Sequence, residues 1–284
     1  MPNQNPKNPR AACLACVQQL LDSPGPNAAL FEAALWVAAE HDDDLQPAEA
    51  LREMAALQHE VAIGLPNLPA NEMAQALMRR LTSLGFQQDE LGPLRPHAAL
   101  LHRVLQRRRG QPLCLALIAL ELARRLGIGL QGVNFPGHFL LKAPGTDHLL
   151  DPCGGRRLYP QDCRELLARQ FGPQIELKAE HMRAVNNASL LQRLSRNLRH
   201  LHMQNDDPLA ALKDAERVME LATPEVGDYL ARADIYQQLD CPQAQRFDLE
   251  RALLLSEEPL QQLQLGQRLR KLQEQVPEGG KVLH

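Results

Sequence analysis

Gly110-Gln111-Pro112-Leu113-Cys114-Leu115, continuing as Ala-Leu-Ile-Ala-Leu120 and closing on Ala123-Arg-Arg-Leu-Gly127, is the stretch that decides the fold. Pro112 suits the first position of a helix, where a backbone N–H would have no intrahelical partner. Gln111 is then the cap and Gly127 the stop. From Leu113 to Leu120 eight consecutive residues are apolar. A bilayer span needs about 20, so the run predicts a buried helix. Ahead of it, Arg107 to Arg109 suit the negative end of a preceding helix, and Gly110 suits its termination. Cys114 falls in the first turn, where unpaired N–H groups and the positive end of the helix dipole favour a thiolate.

Beyond Gly127 the pattern changes. Leu130-Gln-Gly-Val-Asn-Phe135, His138-Phe-Leu-Leu-Lys142 and His148-Leu-Leu-Asp151 are short segments separated by Pro-Gly and Pro-Gly-Thr-Asp. Short apolar runs bounded by proline and glycine read as strands and hairpins. Three antiparallel strands packed on the apolar helix are expected, because a two-stranded hairpin alone is marginal in water. The fold class that follows is α+β and mostly helical.

A nucleophilic thiolate needs a base and a group that orients the base. His138 opens the second strand. Asp151 ends the third, and Pro152 keeps it extended. If those strands pair, the carboxylate reaches the imidazole. Cys114, His138 and Asp151 are therefore the candidate catalytic residues, in the cysteine version of triad logic. The Cys114 N–H is one candidate oxyanion donor, with Gln111 in support. Each residue also has a plain structural reading. Cysteine is among the most buried residue types, His138 can be a hydrogen-bonded strand histidine, and Asp151 can cap a turn.

Gly110-x-Pro-x-x-Leu-Ala, Ala123-Arg-Arg-Leu-Gly, Gly132-Val-Asn-Phe-Pro-Gly-His-Phe-Leu-Leu and Asp151-Pro-x-Gly-Gly together resemble the transglutaminase-like core of bacterial SirB family proteins. The resemblance spans roughly residues 25 to 275. It implies a reduced papain-like or transglutaminase-like core, with a helical part before it and tetratricopeptide-like helices after it. By position, Cys114, His138 and Asp151 match the transglutaminase triad.

Upstream of the core, apolar faces at Leu30–Ala38, Leu51–Ala62, Met73–Leu84 and Ala98–Leu105 predict four helices punctuated by prolines. Downstream, from about Asn186, the chain reads as helical again. Leu191, Leu194, Leu198 and Leu201 form one stripe, and Pro208, Pro224, Pro242 and Pro259 open further helices. Tyr229, Ala233, Tyr236, Leu239, Leu249 and Ala252 resemble a tetratricopeptide repeat, whose period is about 34 residues. One period back, Ala215 and Val218 fall under Leu249 and Ala252, while Ser195 and Arg199 fit poorly under Tyr229 and Ala233. A plain helical bundle is the alternative reading. The expected organisation is a disordered tail over 1–12, the helical part with the core over 13–180, and repeat-like helices over 186–276.

Composition narrows function by exclusion. Hydrophobic residues are 44% and charged residues 23%, as in ordinary soluble chains. A net charge of −3 gives no basic excess for nucleic acid or an anionic membrane. The polar, proline-rich first ten residues predict no secretion signal, hence a cytoplasmic location. Six cysteines are then read as thiols, not as a disulfide framework. Cys13-x-x-Cys16 lacks a second ligand pair for zinc, and no phosphate loop or dinucleotide fingerprint is present, so no cofactor or metal is expected. His97, His102, His200 and His202 read as surface residues. Two functions remain. The first is a protein-interaction or regulatory module with a protein or peptide partner. The second is a cysteine-dependent amide hydrolase or acyltransferase.

Overall fold

The computed structural model describes residues 8–22, 29–89 and 94–275. Two compact units divide at Leu194 and Ser195. The first carries α1 (Pro9–Asp22), α2 (Leu30–Ala39), α3 (Pro47–Ile63), α4 (Ala70–Ser83), β1 (Gln87–Gln88), a 3-10 turn (Pro96–Ala98) and α5 (Leu101–Arg107). It continues through β2 (Arg109–Gly110), α6 (Pro112–Arg125), β3 (Gln131–Val133), β4 (Leu140–Lys142), β5 (Leu149–Leu150), β6 (Arg157–Leu158) and α7 (Pro160–Phe171). Helix α8 (Asn187–Gln204) runs through the division. It is followed by α9 (Pro208–Leu221), α10 (Val226–Gln238), α11 (Pro242–Leu255) and α12 (Pro259–Gln275).

The first helix corrects the expected tail. Pro9 to Ala12 are helical because Asn8 caps them: its Oδ1 accepts the Ala11 N–H at 3.2 Å, and Pro9 takes the position that needs no N–H. Arg10 then fixes the helix by a two-pronged bond to Glu40. Residues 1–7 of the expected tail lie outside the described residues.

Helix α6 is the axis of the first unit. Every residue from Leu113 to Ala123 is buried. It packs against α2, α3, α4 and α5 and against β3 and β4. A helix that is apolar all round must be enclosed on all sides, and this one is. Its one buried carboxylate, Glu121, is met by Arg124 at 2.9 Å and Arg125 at 2.5 Å, one turn on. Helix α2, which packs on it, is buried at every residue except Glu32.

The sheet has four antiparallel strands in the order β3-β4-β5-β6, one more than expected. Leu141 opposes Gly132 on β3 and Leu150 on β5. Leu140 joins Val133, Phe135, Leu149, Leu158, Cys163 and Leu167 in one apolar cluster formed with α7. Leu141, next in the strand, points to the opposite face. Both faces are thus covered, which explains why such short strands hold. A parallel pair, β1 with β2, was not foreseen from sequence and ties residues 87–88 to 109–110.

In the second unit α9 packs on α10, α10 on α11 and α11 on α12. The repetition is present in the backbone itself. Asp206 and Asp240 lie one period of about 34 residues apart and both adopt a left-handed conformation, at φ 57° and 54°. The cap residues that follow, Asp207 and Cys241, share φ near −116° and −110° and ψ 76° and 68°. Each is followed by a proline that opens the next helix. The Asp207 N–H donates to the His202 carbonyl and the Cys241 N–H to the Tyr236 carbonyl, again one period apart. Asp214 and Asp248 repeat as fully buried carboxylates.

Candidate functional site

The entrance to α6 is built by steric necessity. A Cβ on Gly110 would stand 2.4 Å from Val104 Cγ2 and 2.9 Å from the Ala98 carbonyl oxygen. Gly110→Ala is therefore expected to cost roughly 1–3 kcal/mol through overpacking. Gly127→Ala has open space and meets only its positive φ of 67°, so it should cost less, on the order of 1 kcal/mol. Thermal denaturation of the two variants checks the ranking; equal losses would overturn it.

Gln111 is the cap of α6, as expected, with extended φ −67° and ψ 151° and no side-chain cap bond. Its N–H donates to the Ala98 carbonyl at 2.7 Å, and its carbonyl accepts the Cys114 N–H at 3.0 Å. Both backbone donors near the thiol are therefore engaged within the fold. Cys114 itself is 0% exposed. Its Sγ donates to the Ala99 carbonyl oxygen at 3.3 Å. Burial pushes the thiol up to about 12 from an ordinary 9.0, because a thiolate would lose its hydration with no cation to replace it.

His138 follows the Pro136-Gly137 turn, its N–H donating to the Phe135 carbonyl at 3.0 Å. The half-buried ring lies 6.4 Å from the Phe135 ring. Burial pulls its pKa down; the Asp151 carboxylate opposes this and Arg193 adds to it. Burial thus favours the neutral imidazole. Asp151 organises the loop from β5 to β6. Its Oδ1 accepts the Cys153 N–H at 2.8 Å, its N–H donates to the Arg156 carbonyl, and its carbonyl accepts the Gly155 N–H. His138 and Asp151 are close enough to feel each other's charge. Among the described residues no hydrogen bond joins the Cys114 thiol to His138, or His138 to Asp151.

Other singled-out residues have settled partners. Arg107 pairs with Asp89 at 3.1 Å. Arg108 donates to the Leu84 carbonyl and pairs with Glu60 at 3.0 Å. Arg107 thus ties α5 to the segment after β1, and Arg108 ties its corner to α3 and the end of α4. Cys13, Cys16 and Cys163 are buried, Cys153 is half-buried and Cys241 is exposed, none of them in a disulfide. His102 and His202 are not surface residues: they are 3% and 5% exposed, with Asp42 2.9 Å from His102 Nε2 and Asp214 2.7 Å from His202 Nδ1, while His102 Nδ1 is buried without a partner among the described residues.

Two features escaped the sequence reading. One is the exposure of Phe247, Leu254, Leu255, Leu260 and Leu263 on α11 and α12. The other is a groove of about 480 Å³ lined in part by Pro136, Leu167, Phe171, Ile175 and His181. Spacing carried a signal for the first, since Phe247 and Leu254 recur seven residues apart on one helix face.

Residues 48–196 match the model of a family described as the transglutaminase-like superfamily. A UPF0162 protein of Pseudomonas aeruginosa is 56% identical over 278 residues, covering 98% of this chain and 100% of its own length. Protein SirB1 of Salmonella typhimurium is 27% identical over 65% of this chain and 74% of its own. F-box only protein 21 of Mus musculus is 31% identical over 49% of this chain and 23% of its own. Among the described residues no helix is long and apolar enough to cross a membrane.

Proposed function

The chain belongs to the transglutaminase-like superfamily as a SirB-family protein, and from that premise we propose that it is a bacterial, cytoplasmic protein-interaction module. Its core serves as a scaffold, and its tetratricopeptide-like hairpins dock a partner protein. The observation that carries this reading is the sealed thiol of Cys114, 0% exposed and pushed up to about 12. Nucleophilic chemistry runs through a reachable thiolate.

The docking face is the apolar surface of α11 and α12. Leu254 is 76% exposed and Leu260 67%. Large exposed side chains grouped on adjacent helices mark interaction sites more often than isolated ones do. Stacked helical pairs present such faces to an amphipathic helix or an extended peptide.

The test uses the full chain, tagged and crosslinked in its host. The wild type and Cys114→Ala are expected to capture the same named partner, and Leu254→Asp with Leu263→Asp to lose it by at least about tenfold, as removal of central apolar anchors does. A Cys114→Ala chain that loses the partner while the aspartate variant keeps it overturns the module reading.

A second reading is a cysteine-dependent amide hydrolase or acyltransferase. It draws on the electrostatic proximity of Asp151 to His138. In that reading Cys114 attacks an amide carbonyl, and His138 takes the thiol proton and passes it to the amine that leaves as the C–N bond breaks. Water or a second amine then takes the acyl group from the thioester, while Asp151 orients the imidazole and Gln111 supports the oxyanion. It requires Cys114 to become exposed.

A further inference from the structure

The loop from β5 to β6 lies against α4 and borders an open surface depression of about 580 Å³. Arg79, Arg156 and Arg157 are among the residues that line it, with Glu72 the one acidic residue of the lining. Glu72 is already neutralised by Arg157 at 2.9 Å. Arg79 and Arg156 are exposed, and among the described residues neither side chain makes an ion pair or a hydrogen bond. Two arginines without an ion-pair partner therefore border one depression.

The loop is held firmly in place. Gln75, 9% exposed, donates from Nε2 to the Gly155 carbonyl at 3.0 Å. A Cβ on Gly155 would come within 2.6 Å of Met78 Cβ, so the backbone is pressed onto α4. At Gly154, with φ 115°, nothing lies within 4 Å of the place a Cβ would occupy. A ligand can approach the main chain closely there.

We propose that this depression binds the phosphate group of a small phosphate monoester. Planar guanidinium forks match the oxygens of phosphate two at a time. Two uncompensated arginines balance the charge of about −2 that a monoester carries near neutral pH. A volume of hundreds of cubic ångströms suits a small molecule. The assignment does not depend on the interaction-module reading, since α11 and α12 contribute nothing to the depression.

Cys153 lines the same depression and reports on its occupancy, while exposed Cys241 in the second unit is an internal control. The full chain is labelled with N-ethylmaleimide in chloride, in inorganic phosphate and in O-phosphoserine at matched ionic strength. The modified peptides are quantified by mass spectrometry. Phosphate at about ten times its dissociation constant should slow Cys153 labelling by about tenfold, with Cys241 unchanged. Arg79→Gln with Arg156→Gln should abolish the protection. Both positions are exposed, so the fold is expected to persist, as circular dichroism checks. Stronger protection by O-phosphoserine identifies an organic monoester, and equal protection identifies the free ion; both keep the phosphate site. Calorimetric titration of phosphate into the wild type and the double variant is the second measurement. Equal Cys153 rates in phosphate and chloride, or binding heat that is absent from the wild type or unchanged in the variant, overturn the proposal.

Discussion

Iodoacetamide added to the native chain at pH 7 is expected to alkylate Cys241 first, then Cys153, and to leave Cys114 unmodified after both are complete. Two effects combine. The Cys114 side chain has no exposed surface, so the reagent cannot reach it without opening of the apolar helix bundle. Its thiol is also held up near 12 by burial, against an ordinary 9.0. At a fixed pH below both values that difference alone lowers the thiolate share by roughly a thousandfold. In urea the difference should vanish and all the cysteines should react alike. Peptide mapping against time gives the rates. Cys114 alkylated as fast as Cys241 in the native protein would sink the scaffold reading and restore the hydrolase.

The largest stability loss is expected at Asp214. Its Oδ1 accepts from Arg217 at 2.7 Å, and its Oδ2 lies 2.7 Å from His202 Nδ1. Arg217 also donates to Ser195 Oγ at 3.1 Å. Asp214 and Arg217 are both 0% exposed. Asp214→Ala leaves a positive charge in the interior without the carboxylate that balances it, a change worth about 3–5 kcal/mol. Asp248→Ala breaks two bonds from Arg232, at 2.8 and 2.7 Å, but that arginine side chain is 16% exposed and water can partly replace the partner. Its loss should be smaller. Glu250→Ala removes an exposed pair with Arg246 and should cost less than about 1 kcal/mol. Urea midpoints, compared at unchanged slope, measure all three. Any order other than Asp214, Asp248, Glu250 contradicts the assignment of buried charge.

Much of the fold was legible because the chain punctuates it. Pro112 and Gly127 bound α6, and Pro-Gly turns separate the strands. The parallel contact of β1 with β2 was not legible, since two residues on each side give no periodicity to read. The strand β6 was hidden for the same reason. At the site, the order Cys114, His138, Asp151 suggested a triad, and the helix dipole suggested a thiolate. Yet the run from Leu113 to Leu120 leaves α6 no polar face, and that pattern already implied that Cys114 is enclosed. The dipole acts at the tip of a helix and is worth about 1 kcal/mol, whereas dehydrating an anion costs several. Asp151 satisfied the plainer reading too, holding its own turn through Cys153 and Gly155. The arginines around Gly154 were unreadable because Arg79 reaches them from α4, far off in sequence.

The matching turns at Asp206 and Asp240 have a consequence for how the C-terminal array can change. A corner whose backbone angles, proline start and buried carboxylate recur together is a joint that can be copied. Duplicating one whole helical pair between such joints would add length while each pair still met only its neighbours. Inserting half a pair would invert every later helix and strand the carboxylates on the wrong side. Growth of this part of the molecule is therefore quantised, and its reach can be extended in whole steps without redesigning any existing contact.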